Sequence, residues 1–344
     1  MMGPEDRIVV AGGGGFIGGH LVARLLQEGF RRVVAVDVKE PSEWHQRHPG
    51  ARNIRGDLKD LDTCRRVTAG ATWVFNLAAD MGGMGFIENN KAACMLSVLI
   101  NTHLLMAARE SGVERFFYAS SACVYAADRQ TSADVTPLRE EDAYPAVPED
   151  GYGWEKLFSE RMCRHFTEDF GLDTRVARFH NVYGPLGTWE GGREKAPAAV
   201  ARKVAAAVVS GDHRIEIWGD GEQTRSFMYV DDCVEGVLRL FASDVRDPIN
   251  VGSAETVSIN ELVSLVEGIA GVEVERRYDL DAPKGVRGRS SDNSRILGLL
   301  GWAPSIPLAD GMGRTYAWVL DQVRARAGLP GRVEGSASVL SPAG

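Results

Sequence analysis

Residues 12–18 read Gly12-Gly13-Gly14-Gly15-Phe16-Ile17-Gly18, and they sit between a β-branched run at 7–11 and an amphipathic helical pattern at 17–28. Few architectures accept this arrangement. A strand must end, turn within a few residues and feed a helix, and glycines at 12, 15 and 18 let the backbone fold that tightly. The helix then presents unpaired N–H groups and the positive end of its peptide dipoles, which suits a pyrophosphate. A glycine run alone fits any flexible turn. Here the strand before, the helix after and Asp37 at the close of the next strand match together. Phe16 and Ile17 in the loop, with Leu77 and Ala78 at the end of the run 73–78, complete the expected cofactor contacts. A carboxylate at Asp37 accepts from a ribose diol and repels a 2′-phosphate, so it favours NAD over NADP, with Lys39 acting weakly the other way. Asp57 reads equally as an adenine contact or as the cap of the following helix.

The alternation continues along the chain. Runs at 32–37, 53–57, 73–78, 115–120 and 174–179 alternate with helical patterns at 60–69, 92–111 and 152–170. This argues a Rossmann-type, doubly wound parallel sheet in an α/β fold. After Gly184-Pro185 come a loop-rich stretch, a helix at 197–210, a strand at 214–218, a helix at 230–241 and a strand at 248–251 that could return to the sheet. Only small helices and strands are expected from there to about Ala327. The expectation is a cofactor-binding domain over 1–184 with returning segments at about 225–252, and a smaller C-terminal α/β substrate domain mainly over 185–327. The Gly/Ser/Ala/Pro-rich end, 331–344, is expected to be disordered.

A net charge of −8 speaks against general nucleic-acid affinity. No uninterrupted apolar run reaches 18 residues, so no membrane span is expected, and the acidic start lacks the regions of a signal peptide. Five cysteines lie scattered without metal-ligand spacing, which predicts no metal and a reduced, cytoplasmic setting.

The run 116–125, Phe-Phe-Tyr-Ala-Ser-Ser-Ala-Cys-Val-Tyr, precedes Tyr152-Gly153-Trp154-Glu155-Lys156. Tyr152 and Lys156 share one face of a predicted helix. A free phenol, with a pKa of about 10, is a poor base at neutral pH, but an adjacent ammonium stabilises the phenolate. Tyr152 is then expected to take the proton of a sugar hydroxyl as hydride leaves for a nicotinamide, with Ser121 bonding the same hydroxyl and Lys156 holding the nicotinamide ribose. A Tyr and a Lys at this spacing are otherwise an ordinary helix-surface pair. Simple oxidation has no use for a thiol at Cys123, two positions past Ser121, whereas proton transfer at carbon does. The competing reading of Cys123 is a small buried apolar residue.

This set resembles the extended short-chain dehydrogenase/reductase superfamily and, within it, the GDP-mannose 3,5-epimerase family. The resemblance rests on 78–86, 116–125, 178–185, 187–197, 218–227 and 285–293, and it runs from the glycine loop to about Ala327. The Met-Gly-Gly-Met and Gly-Gly-Arg-Glu-Lys-Ala-Pro stretches are far more specific than the glycine fingerprint. It implies a GDP-sugar substrate, GDP-D-mannose, oxidised at C4 by bound NAD so that C3 and C5 become acidic. It makes Cys123 and Lys195 the acid/base pair, Arg225 and Arg287 the pyrophosphate ligands with Arg289 as the alternative to Arg287, and Gly83, Asn181, Glu194, Ala196, Lys203 and Gln223 further substrate contacts. His180 is read as a hydrogen-bonded core group. A homodimer through the helices at 92–111 and 152–170 is a superfamily expectation. One departure is Ala126-Ala127, where the resemblance leads one to expect Pro after Tyr125, next to the site and able to reshape the pocket floor.

Two other classes compete. A dehydratase, decarboxylase or 4-epimerase would cycle NAD in the same way. A dehydratase commonly keeps an Asp-Glu pair where Ala122-Cys123 stands, and a 4-epimerase leaves Cys123 and Lys195 idle. A non-catalytic NAD-binding regulator has no reason to keep Ser121, Tyr152 and Lys156 together.

Overall fold

The structure, a computed structural model, describes residues 3–330; the tail at 331–344 lies outside the described residues. A seven-stranded sheet forms its centre in the order Ile249–Val251, Asp173–Phe179, Arg115–Ser121, Trp73–Asn76, Arg7–Ala11, Arg32–Asp37, Arg52–Arg55. Every pairing is parallel. Inner strands such as Ile8-Val9-Val10 and Val74-Phe75 are fully buried because helices cover both faces. Strand order reverses between Arg7–Ala11 and Trp73–Asn76, which opens a crevice at their carboxyl ends.

The helices follow their local signals. Asp60 caps Leu61–Thr68, its carboxylate accepting from the Thr63 N–H at 2.9 Å. Tyr152–Phe170 stops at Gly171, whose φ of 73° is left-handed and whose N–H reaches the Thr167 carbonyl. The same helix is stitched to the sheet by buried charge: Arg178 Nη2 and Nε reach both Glu160 oxygens at 2.7 and 2.8 Å, and Ser120 donates to Glu160 at 2.5 Å.

The helix read at 92–111 is two, Lys91–Met95 and Ser97–Glu110, joined at Leu96. The stretch Lys91–Glu110 is long and apolar enough, by length and composition, to cross a membrane. Asn101, Thr102 and His103 interrupt its apolar run, so no unbroken stretch in it reaches 18 residues. The helix spends that character on the sheet, where Ile100, Leu104, Leu105, Ala107 and Ala108 are buried.

After Phe179 the chain leaves the sheet and comes back: Ile249–Val251 pairs with the preceding strand, with Phe179 opposite Val251. Between them lie helix Ala196–Ser210 and strand Arg214–Trp218, which pairs with Glu275–Asp279. The last part holds a long element where small ones were expected. Helix Leu308–Arg326 has 19 residues and packs on Ala196–Ser210. Its glycines obscured the pattern, yet Gly311 is there for packing: a Cβ would fall 2.1 Å from the Tyr183 hydroxyl. One apolar cluster joins Ile8, Phe75 and Phe179 under the sheet to Val204, Val266 and Met312, so the two parts share a core.

Candidate active site

Two cavities open at the carboxyl ends of the strands. The larger, about 600 Å³, is lined by Gly12, Gly15, Phe16, Ile17, Gly18, Asp37, Asp57, Leu77, Ala78 and Lys156, among others. Every position expected to touch the cofactor is therefore in one place. The loop itself is a close fit: a Cβ on Gly18 would lie 2.1 Å from the Gly12 carbonyl oxygen. No side chain caps helix Phe16–Gln27, so its first N–H groups face the cavity. Asp37 is buried at the rim, one oxygen accepting from the Lys39 N–H at 3.1 Å. Asp57 lines the cavity and accepts from the Lys59 N–H; the helix-capping role belongs to Asp60. This donor set fits a dinucleotide: bare N–H groups for the pyrophosphate and a carboxylate for the ribose.

The smaller cavity, about 270 Å³, is lined by Gly83, Ser121, Cys123, Asn181, Glu194, Lys195, Ala196, Lys203, Gln223 and Arg225, with Arg289 and Trp218. Met81, Ser121, Tyr152, Phe179 and Lys195 line both cavities and form a common wall. Cys123 lies in the turn after strand Arg115–Ser121, its N–H donating to Ser121 Oγ at 3.2 Å. Lys195 is the residue before helix Ala196–Ser210. Several substrate-side groups are held by backbone oxygens: Gln223 donates to the Trp218 carbonyl, Lys203 to that of Glu216, Asn181 to that of Ser226, and Arg225 to those of Thr224 and Val286. Glu194 accepts from Arg202 at 2.9 Å, and the Gly83 N–H donates to the Arg193 carbonyl.

Burial dominates the electrostatics. It pushes the Cys123 thiol above its ordinary pKa; the Glu149 carboxylate adds to this, and Arg289, Ser121 and Lys195 oppose it. It lowers the Lys195 ammonium, and that of Lys203. Arg225 is brought down to about 10 by burial and by Arg289.

Three expectations are corrected. The first concerns Tyr152. Its phenol is raised well above 10 by burial, then by Cys123 and Glu155, and Ser121 only partly offsets this. Lys156 lies 5.5 Å from the ring centre, but its ammonium donates to the Ala119 carbonyl at 3.1 Å and faces Glu155 at 3.6 Å. Its charge is engaged there, so Lys156 alone does not make the phenol a base. The second concerns Arg287, which lines neither cavity and makes a two-pronged contact with Asp220 at 2.7 and 2.9 Å. Arg289, the alternative, is buried and lines the smaller cavity. The third concerns Ala126-Ala127, which lines neither cavity; the Ala127 N–H donates to the Val147 carbonyl. His180 behaves as read: it is fully buried with Nε2 3.0 Å from Asn250 Oδ1. Glu149 and Gln130, which hold Arg289, carry no sequence signal: Glu149 lies in an irregular segment, Gln130 ends the short helix Ala127–Gln130, and neither belongs to a motif or a periodic pattern. Among the described residues no group of three His, Cys, Asp or Glu side chains is placed to hold a metal ion.

Residues 8–252 match the NAD dependent epimerase/dehydratase family. The chain belongs to this family and is an NAD-dependent enzyme. Beside it stand the GDP-mannose 3,5-epimerase 1 of Oryza sativa subsp. japonica, 49% identical over 92% of this chain and 82% of that protein, and the GDP-mannose 3,5-epimerase of Arabidopsis thaliana, 48% identical over 92% and 83%. Their likeness makes it an isomerase by class. Among solved structures, the UDP-glucose 4-epimerase of Thermotoga maritima with UDP-glucose superposes with a TM-score of 0.81 at 26% identity, over 91% of this chain and 98% of that one. MoeE5 in complex with UDP-glucose and NAD gives 0.74 at 30%, over 91% and 98%.

Proposed function

We propose that this enzyme inverts GDP-D-mannose at C5 and C3, giving GDP-L-galactose, GDP-L-gulose or both. One observation carries the reading: Cys123 and Lys195 line the same cavity as Ser121 and Tyr152, and Ser121, Tyr152 and Lys195 also line the cofactor cavity. NAD held by the glycine loop, Asp37 and Lys156 would supply the hydride acceptor and donor for C4. The chain's own groups do the rest. Tyr152 takes the C4 hydroxyl proton, Ser121 orients that hydroxyl, and Lys156 holds the ribose beside it. An oxidised nicotinamide held in the neighbouring cavity would add positive charge that favours the Tyr152 phenolate. With a carbonyl at C4, a proton on C3 or C5 is acidic, and its loss leaves an enolate. Cys123 and Lys195 then remove a proton from one face and deliver one to the other. A desolvated lysine and a thiol are both suited to this near neutral pH. Arg225 and Arg289 hold the pyrophosphate, guanidinium forks against phosphate oxygens.

The same residues serve both products, and the partition follows the lifetimes of the intermediates. The deciding experiment is NMR of GDP-mannose with the enzyme and NAD in D₂O. Deuterium at C5 and C3 with the L-galactose configuration supports double inversion. Deuterium at C5 alone, with L-gulose, keeps the mechanism and narrows the product. No exchange at either carbon rejects the reading and returns the chain to the 4-epimerases and dehydratases.

We also propose a homodimer. Met95, Leu96 and Leu99 on one helical stretch and Trp154 and Phe158, one turn apart on the neighbouring helix, are exposed, leaving an apolar face in need of cover. Leu99→Arg with Phe158→Arg should halve the mass seen by sedimentation; an unchanged mass rejects this face. A reducing cytoplasmic setting is part of the same reading, since all five cysteines are free and buried.

A further inference from the structure

Behind the catalytic thiol sits a carboxylate that the proposed mechanism does not use. Glu149 is tied to the Cys123 turn through its backbone, its N–H donating to the Cys123 carbonyl at 3.0 Å. Its side chain is 9% exposed and accepts from Arg289 Nη2 through one oxygen. The other oxygen, Oε2, is buried with no hydrogen-bond partner. Arg289 is oriented from the far side by Gln130, which accepts from its Nε at 2.6 Å, and its Nη1 reaches Cys123 Sγ at 3.7 Å. One guanidinium therefore faces two groups that can each carry a negative charge.

An orphaned buried carboxylate oxygen is destabilising, so its retention beside Arg289 needs a reason beyond packing. Charge explains the choice. With Cys123 as a thiol, Glu149 and Arg289 cancel. With Cys123 as a thiolate, two anions crowd one cation in a dry pocket, which disfavours the second charge. The remaining groups around the sulfur are Lys195, Arg225, Tyr152 and Ser121, with the apolar pack of Ile87, Cys94, Met81 and Phe86. Among the groups that act on the Cys123 thiol itself, Glu149 is the carboxylate; Glu155 acts on Tyr152 and Cys94 behind it.

We propose that Glu149 is a positioning residue for the proton carrier: it holds Arg289 against Cys123 and, as the first anion on that guanidinium, keeps the resting thiol protonated. The resting thiol is thereby poised to deliver a proton rather than held as a reactive thiolate. The inference rests on the proposed epimerase mechanism for its purpose, but the electrostatic coupling is a property of the resting protein.

The test needs no substrate. Alkylation of Cys123 by iodoacetamide is followed against pH in the NAD-loaded protein, and the signal of Cys123→Ala is subtracted to remove Cys94. Glu149→Gln keeps the shape and the acceptor but removes the charge, and it should move the midpoint down by roughly one pH unit, about tenfold more thiolate at a fixed pH below it. Glu149→Asp restores the charge and should return the midpoint toward the wild type. A Glu149→Gln midpoint that stays or rises, in protein that still melts at the wild-type temperature, overturns the proposal. So does a Glu149→Asp midpoint lowered as far as that of Glu149→Gln, because contact rather than charge would then be responsible. If instead the D₂O experiment fails while the midpoint moves as expected, the epimerase reading falls and the coupling stands.

Discussion

The cofactor cavity takes its walls from short runs at the carboxyl ends of neighbouring strands: 12–18 after the first, Asp37 to Lys39 after the second, Leu77 and Ala78 after the fourth. The substrate cavity is assembled differently. Its polar and charged groups come from the turn at Cys123, from Glu194 and Lys195 before a helix, from Lys203 within that helix, and from Arg225 and Arg289 on two small paired strands. The first is shaped by backbone and needs little from distant residues. The second is a meeting of side chains whose orientation depends on partners far along the chain. Glycine spacing can specify a loop, but only tertiary structure can bring Glu149 to Arg289.

Predictions that break one half while sparing the other test this contrast. The largest effect belongs to the substrate half. Cys123→Ala should lower turnover of GDP-mannose by about 10³-fold or more, within the range for loss of a proton carrier, and leave NAD content unchanged. Normal turnover in that variant would reject the thiol as carrier. Next is the cofactor half. Gly18→Ala places a methyl group against the Gly12 carbonyl and should lose NAD binding and about 3 kcal/mol of stability, read by cofactor retention and denaturant melts. An unperturbed variant would mean that the loop relaxes freely.

A third prediction concerns the seam between the halves. His180 lies against Asn250, and burial lowers its pKa to about 3. The unfolded chain takes up this proton below about 6.5, whereas the folded chain does so only near 3. Stability should therefore fall with acid between those values, by about 1.4 kcal/mol per pH unit from this group. His180→Gln should flatten that part of the stability profile; an unchanged slope would assign it to other groups. The smallest effect is expected at Arg287. Its pair with Asp220 is partly exposed, so Arg287→Ala should change KM less than about threefold, whereas Arg289→Ala should raise it at least about tenfold. Equal losses would restore Arg287 to the pyrophosphate.

The sequence was most legible where chemistry and spacing are local. The glycine loop, Asp37, the strand–helix alternation and the 4-residue Tyr152–Lys156 step all appear where they were read. Even there, the proximity of Tyr152 and Lys156 did not predict their electrostatics, because Glu155 and the Ala119 carbonyl engage the ammonium. Arg287 and Arg289 could not be told apart by motif, since their difference lies in Asp220 and Glu149, far away in sequence. The long helix Leu308–Arg326 was missed because Gly311 and Gly313 mask its apolar repeat.

The register that sets Phe179 opposite Val251 carries a further consequence. Adjacent strands lie about 4.8 Å apart, so everything between those residues is a detour whose two mouths almost touch. Asn181, Lys195, Lys203, Gln223 and Arg225 all ride on it. Lengthening a closed detour costs only the logarithm of its length. Such a segment can be lengthened, trimmed or exchanged while its attachment points stay fixed. Part of the substrate cavity can therefore be altered from within one closed segment while the sheet that anchors it keeps its register.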